Sequence, residues 1–195
     1  MYRIFLTAVD IIPAAIVLVP LFFVLYSTAF KRNLAKSVLY CLFCLYLSAV
    51  FSLVGIPNVT YFRPEVNLNL IPFLGMAADL KNSILNILLF VPLGFFLPVL
   101  WMEFRKLVPA ALFGFGLSLI IELLQMLTYR ATDVNDLFTN VAGTVIGFFL
   151  ASPIARNKMA IGRGVRDPYA LCAVSFSVMF FLHPFLSPLI WDSVL

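Results

Sequence analysis

Charged residues are scarce in this chain. Only 11% of its 195 residues are Asp, Glu, Lys or Arg, whereas 63% are hydrophobic and the mean hydropathy is +1.07. Soluble domains carry roughly 25% charged residues, and a water-soluble core of this size could not hide so much apolar surface. The composition therefore excludes an ordinary soluble domain and favours an α-helical protein that crosses a membrane several times.

Histidine and cysteine are also rare, with one and three copies respectively. Cys41 and Cys44 share a helix face, but they lie among apolar residues with no histidine or carboxylate nearby, and Cys172 also lies in an apolar run. We interpret all three as small hydrophobic residues of the helix interior. The single histidine, His183, stands beside Pro184 and is interpreted as packed or interfacial. We expect neither a metal nor a cofactor.

Apolar segments follow one another along the whole chain. At roughly 20 residues per span, this length accommodates about six spans and leaves no room for a separate soluble domain. We therefore predict an all-α fold, a polytopic transmembrane helix bundle that forms one membrane domain over residues 1–195, with five spans as the alternative to six. The predicted spans cover approximately residues 8–30, 37–56, 82–101, 108–128, 136–153 and 169–191.

Prolines predict local details of two spans. Pro92, Gly94 and Pro98 predict an irregular second half of the third span, which membrane helices tolerate. Asp167 and Pro168 predict the start of the last helix, with the aspartate as its N-cap and the proline at its first helical position.

Basic residues predict the orientation of the spans. The loops after spans one, three and five hold nine Lys and Arg residues, and the opposite side holds four. The positive-inside rule then places both termini outside, together with the loop at 57–81 and the turn at 129–135. Because the basic residues sit in short loops and set topology, we expect the lipid bilayer as a partner and no nucleic acid.

Polar residues concentrate at the predicted outer ends of spans three, four and five. With a helix rise of about 1.5 Å per residue, Asn86 and Asn140 lie about 6 Å deep and Glu122 about 9 Å deep. Ionisable side chains at such depth are costly, so their clustering predicts a functional site. The predicted polar cluster consists of Asn69, Asn82, Asn86, Glu122, Gln125, Arg130, Asp133, Asp136 and Asn140.

Structural interpretations of these residues stay open beside the functional one. Asp133 could cap the fifth helix, and the amides could form hydrogen bonds between helices. Glu122 must be protonated or paired at its depth, and Arg130 is the candidate partner. Gly143 and Gly147 form a G-x-x-x-G motif that lets another helix approach closely.

Three blocks of residues resemble the VanZ-like family of bacterial membrane proteins, over about residues 65–150. The first block is Asn69-Leu70-Ile71-Pro72-Phe73. The second block is Asn82 with the segment Asn86-Ile87-Leu88-Leu89-Phe90-Val91-Pro92-Leu93-Gly94-Phe95. The third block is Ser118, Glu122, Gln125, Arg130, Asp133, Asp136, Asn140, Gly143 and Gly147.

The resemblance implies a multi-pass protein of the bacterial cell membrane with a part in resistance to teicoplanin-type glycopeptides. One hypothesis is that the loop at 57–81 and the acidic cluster bind an amphiphilic ligand at the outer leaflet, such as a lipoglycopeptide or a lipid-linked cell-wall precursor. The alternatives are an accessory or structural membrane subunit and an intramembrane enzyme. In the enzyme, Glu122, Asp133 and Asp136 would be the catalytic candidates. We rank the enzyme last, because the cluster has no histidine, no cysteine and no recognisable nucleophile motif.

Overall fold

The structure, a computed structural model, describes residues 2–62, 68–69, 71, 80–128, 132–157, 160–162 and 164–194. For residues 2–9, 68–69, 157 and 192–194 it describes the backbone alone. The predictions for Arg130, for the side chain of Asn69 and for most of the loop at 57–81 therefore lie outside the described residues.

Seven α-helices and two very short strands make up the described chain. The helices are α1 (Tyr2–Thr28), α2 (Leu34–Val54), α3 (Leu80–Leu100), α4 (Leu107–Gln125), α5 (Val134–Asn157), α6 (Arg166–Ser177) and α7 (His183–Val194). A 3₁₀ turn (Met102–Arg105) follows α3, and a π-helical turn (Val178–Leu182) joins α6 to α7. The strands are β1 (Leu68–Asn69) and β2 (Thr132–Asp133), which pair in parallel.

Among the described residues, six helical segments are long and apolar enough to cross a membrane, with α6, the π turn and α7 counted as one segment. Each coincides with one of the predicted spans to within a few residues at its ends. The prediction of an all-α, polytopic membrane fold is confirmed.

The chain divides into two compact units. The first unit comprises Met1–Arg63 and Arg166–Leu195, and the second comprises Pro64–Val165. The second unit therefore contains α3, α4 and α5, and the first contains the remaining helices. The single membrane domain predicted for the whole chain stays a prediction.

Helices α3 and α5 of the second unit touch through their backbones. A Cβ atom on Gly143 would overlap the carbonyl oxygen of Ile87, and one on Gly147 would overlap that of Val91. Both contacts advance by four residues in the same direction, so the two helices run parallel. On α3, Gly94 lies in the same way against the Thr144 carbonyl. Only glycine permits this approach, which brings Cα hydrogens towards carbonyl oxygens.

Helix α4 packs antiparallel to α5. Gly114 leaves room for the Thr144 side chain, whose oxygen would overlap a Cβ at that position. One turn further along α4, Ser118 accepts a hydrogen bond from Asn140, which lies one turn earlier on α5. The beginning of α5 therefore faces the end of α4.

Helix α3 is continuous, although the sequence predicted an irregular second half. Pro92 and Pro98 both lie inside it. Each proline lacks an N–H and so leaves one carbonyl of the preceding turn without its helical partner, which membrane helices tolerate when neighbouring helices pack there. The glycine contacts hold α3 against α5 on both sides of Pro92, which explains why the helix does not break.

In the first unit, the last span departs from α-helical geometry just before Pro184. The amide N–H of His183 bonds to the Val178 carbonyl, in the π-helical pattern. Pro184 would clash with the Phe180 carbonyl in a regular helix. That carbonyl instead accepts a hydrogen bond from the Val59 N–H at 3.2 Å. The proline thus frees a backbone carbonyl, which binds the segment after α2.

Asp167 is not the N-cap that the sequence predicted. Helix α6 begins one residue earlier, at Arg166, so Asp167 lies in its first turn. Its Oδ2 atom accepts a hydrogen bond from the Tyr40 hydroxyl at 2.7 Å and lies 3.5 Å from the Lys36 ammonium. The carboxylate therefore joins α6 to α2 instead of capping its own helix.

The glycine contact yields a test with a matched control. In Gly147→Ala, the new methyl group meets the Val91 carbonyl, whereas nothing lies within 4 Å of a Cβ on Gly116 of α4. Overpacking of this kind costs about 1–3 kcal/mol. We expect Gly147→Ala to unfold at a lower temperature than wild type in detergent, followed by circular dichroism, and Gly116→Ala to match wild type. Equal melting of the two variants would contradict the close approach.

Candidate functional site

The end of α4 places Glu122 beside the beginning of α5. Glu122 is only 5% exposed. Its Oε2 atom accepts a hydrogen bond from the backbone N–H of Asp133 at 3.1 Å, and its own carbonyl accepts one from the Thr132 hydroxyl at 3.0 Å. These two hydrogen bonds hold strand β2 against the last turn of α4. The carboxylate lies at the N-terminal end of α5, where the helix dipole stabilises negative charge.

Two further carboxylates belong to the start of α5 itself. The Oδ1 atom of Asp133 accepts the backbone N–H of Asn135 at 2.8 Å, which is the capping contact considered from the sequence. Asp136 is half-buried in the first turn of the helix. The positive end of α5 therefore accounts for the presence of both groups, and together with Glu122 they concentrate acidic side chains at one end of the second unit.

A buried hydrogen bond joins α4 to α5 one turn deeper. Asn140 donates through Nδ2 to the Ser118 hydroxyl at 2.9 Å, and both residues are almost fully buried. The Thr144 hydroxyl donates to the backbone carbonyl of Asn140 at 3.0 Å. The Oδ1 atom of Asn140 is buried without a hydrogen-bond partner among the described residues. An unsatisfied acceptor of this kind costs about 1–3 kcal/mol, so it favours any donor that can reach it.

The other predicted cluster residues differ in how deeply they are buried. Gln125, the last residue of α4, is buried, and Asn86 is half-buried on α3, next to the Ile87 carbonyl that faces Gly143. Asn82 is exposed in the first turns of α3. The backbone of Asn69 pairs with that of Asp133 in the two-strand ladder.

Two sets of described hydrogen bonds thus form a polar layer between α4, β2 and α5, one around Glu122 and Asp133 and one around Asn140. Thr132 and Thr144 also belong to this layer, although neither was among the predicted cluster residues. Thr144 lies four residues after Asn140, which is the spacing of side chains on one helix face, so its position could have been found from the sequence. Thr132 carried no such signal, because its contact with Glu122 depends on how the turn folds.

The chemistry of this layer is that of hydrogen bonding and negative charge. Its described members carry carboxylates, amides and hydroxyls, which suit recognition of a cationic or hydrogen-bond-donating group. Within the described residues, no group of three or more His, Cys, Asp or Glu is placed to hold a metal ion. The arrangement offers hydrogen-bond donors and acceptors from three chain segments, α4, β2 and α5.

Six membrane-length helices and a buried acid and amide layer define a multi-pass integral membrane protein with a polar site at one end of a helical unit. The chain belongs to the VanZ/LLP1 family, whose model matches residues 37–156. This match confirms the resemblance predicted from the three sequence blocks, and it extends beyond them to the beginning of α2 and to most of α5.

One curated relative is Protein VanZ of Enterococcus faecium. It is 35% identical to this chain over 85 residues, which are 43% of this chain and 52% of the relative. The chain thus aligns with about half the length of that relative. No solved structure matches the chain significantly.

Two substitutions can separate the capping role of Asp133 from its negative charge. Asparagine caps helices about as well as aspartate, whereas loss of the cap to alanine costs about 1 kcal/mol. We expect Asp133→Ala to lower the melting temperature in detergent and Asp133→Asn to keep most of the wild-type value. If both variants were destabilised equally, the negative charge and not the cap would be what Asp133 contributes to stability.

Proposed function

We propose that this protein contributes to resistance to teicoplanin-type glycopeptides by binding an amphiphilic ligand at the outer leaflet of the bacterial plasma membrane. The ligand would be the lipoglycopeptide itself or a lipid-linked cell-wall precursor. The observation that carries the proposal is the nearly buried Glu122 carboxylate, held at the N-terminus of α5 within a layer of acids and amides. Family membership supports the link to glycopeptides.

The distribution of charge supports the outward orientation of this site. The site occupies the end of the second unit where α3 and α5 begin and α4 ends. The opposite end of the same unit carries Arg105 in the 3₁₀ turn after α3 and Arg156 in the last turn of α5. Basic loops remain on the cytoplasmic side of a membrane, so the acidic end of this unit would face outward. The count of nine against four Lys and Arg residues in the loops would place both chain termini outside as well.

The chemistry of the site indicates which features of a ligand it would recognise. Carboxyl groups at Glu122 and Asp136 favour a cationic or hydrogen-bond-donating group, and the acceptor at Asn140 favours a hydrogen-bond donor. The segment at 57–81 contains apolar residues around Pro72, which suits contact with an acyl chain at the membrane interface. A ligand with both a polar head and a hydrocarbon tail would satisfy the two features together.

Teicoplanin susceptibility of a sensitive Gram-positive host tests the proposal. We expect wild type to protect, and Glu122→Gln or Asp136→Asn to lose most of this protection at equal membrane levels measured by immunoblot. Glu103→Gln is the matched control, since Glu103 lies beyond the other end of α3, where it accepts the Gly164 N–H at 2.7 Å. Full protection by both site variants would contradict the proposal.

An accessory or structural role is the second candidate, and the cap at Asp133 and the Asn140–Ser118 hydrogen bond favour it. In that case the substitutions would lower membrane levels or stability in proportion to any loss of protection. An intramembrane enzyme using Glu122, Asp133 and Asp136 is the third. It requires a changed mass of the lipid or antibiotic after incubation with purified protein, and an unmodified ligand counts against it.

A further inference from the structure

A second polar group lies in the first unit, where α1, α2 and α7 meet. The Ser52 hydroxyl, near the end of α2, donates to Oδ2 of Asp10 on α1 at 2.9 Å. The other carboxylate oxygen of Asp10 lies 3.6 Å from Nε2 of His183, the first residue of α7. Asp10 and His183 both fall outside residues 37–156, the part that matches the family. This group is therefore distinct from the site described above.

The imidazole nitrogen nearest Asp10 lacks a hydrogen bond. Nε2 of His183 is buried and has no hydrogen-bond partner among the described residues, and the His183 side chain is 14% exposed. A charge-assisted bond between an imidazolium and a carboxylate would measure roughly 2.7–2.9 Å. The observed distance of 3.6 Å is too long for such a bond but short enough that a small movement closes it.

The backbone holds His183 in this position. The π-helical turn ends at His183, and such turns often occur at functional sites. Pro184 imposes the turn, and the N–H of Val59 satisfies the carbonyl of Phe180 that the proline displaces. The backbone position of His183 thus depends on the π turn, on Pro184 and on the segment after α2.

We propose that Asp10 and His183 form a proton-binding site that fastens α1 to α7. A proton taken up at Nε2 of His183 turns an unbonded nitrogen into a cationic donor facing the carboxylate, and the two helices gain an ion pair. When the proton leaves, the ring becomes neutral and the ion pair is lost. The bound species is a proton.

The pH response of the pair depends on which ionisable groups lie near it. Imidazole is the side chain whose ordinary titration falls between about pH 5 and pH 8, and His183 is the only histidine in the sequence. From the described residues of α1, α2 and α7, Asp10 is the ionisable group placed against His183, and Ser52 adds a hydroxyl. The side chains of Arg3 and Asp192 lie outside the described residues.

A double-mutant cycle on the full chain in detergent tests the site. Melting temperatures of wild type, Asp10→Asn, His183→Gln and the double variant are compared at about pH 5.5 and about pH 8, which lie on either side of ordinary histidine titration. We expect the two substitutions to be coupled at the lower pH and to become close to additive at the higher pH. Equal coupling at both values, or none at either, would overturn the proposal.

The Lys36–Asp167 pair provides the matched control. It joins α2 to α6 in the same unit at 3.5 Å, and lysine keeps its charge throughout this range. The cycle of Lys36→Gln with Asp167→Asn is therefore expected to give the same coupling at both pH values. A pH-dependent change in this control equal to that of the histidine pair would assign the effect to the protein as a whole and overturn the site.

Nitrogen NMR of the His183 ring tests proton binding directly, even if the variants fail to fold. Because the chain has one histidine, ¹⁵N-histidine labelling of wild type yields one pair of ring signals. We expect these signals to move from those of a neutral ring at about pH 8 to those of an imidazolium at about pH 5.5. A ring that stays neutral over this range would show that no proton binds there.

Discussion

Backbone contact between α3 and α5 is the constraint on which the second unit depends. Lipid tails are as apolar as the helix surfaces, so the hydrophobic effect does not drive helices together inside a bilayer. Close packing does, and Gly94, Gly143 and Gly147 remove the side chains that would prevent it. The contact fixes α3 parallel to α5, and the beginnings of both helices therefore lie at the same end of the unit.

The position of the polar layer follows from this arrangement. Helix α4 returns antiparallel to α5, which brings Glu122 to the N-terminus of α5, where the Asp133 N–H and the helix dipole stabilise a carboxylate. Asn140 and Ser118 then form the hydrogen bond beneath it. The groups that join α4 to α5 therefore also place carboxyl groups and hydrogen-bonding atoms at one end of the unit.

Much of the fold could be predicted from the sequence, because helix formation in apolar segments is a local property. The six predicted spans and the glycine spacing at Gly143 and Gly147 needed only residues that are close in the chain. The partner of that glycine face could not be identified, since Ile87 and Val91 are more than fifty residues away. For the same reason, Asp167 was predicted to cap its own helix, whereas its partners Tyr40 and Lys36 lie on α2.

The candidate site was also predictable only in part. Depth along each span placed Glu122 and Asn140 in one layer, and capping chemistry suggested the role of Asp133, because both arguments use helix geometry alone. The Glu122 contact with the Asp133 N–H depends on how the turn folds back over α4. The meeting of Asp10 with His183 needs the π turn before Pro184 and the packing of α1 on α7, so the sequence carried no sign of it.

Direct binding of fluorescent teicoplanin to the purified protein in lipid nanodiscs tests the central claim, that the Glu122 layer binds an amphiphilic ligand. Hydrogen bonds to charged groups contribute about 1.5–3 kcal/mol, which corresponds to an affinity change of about tenfold or more. The account predicts saturable binding to wild type and at least this loss in Glu122→Gln, with Glu103→Gln unchanged. Equal affinity of wild type and Glu122→Gln would contradict it.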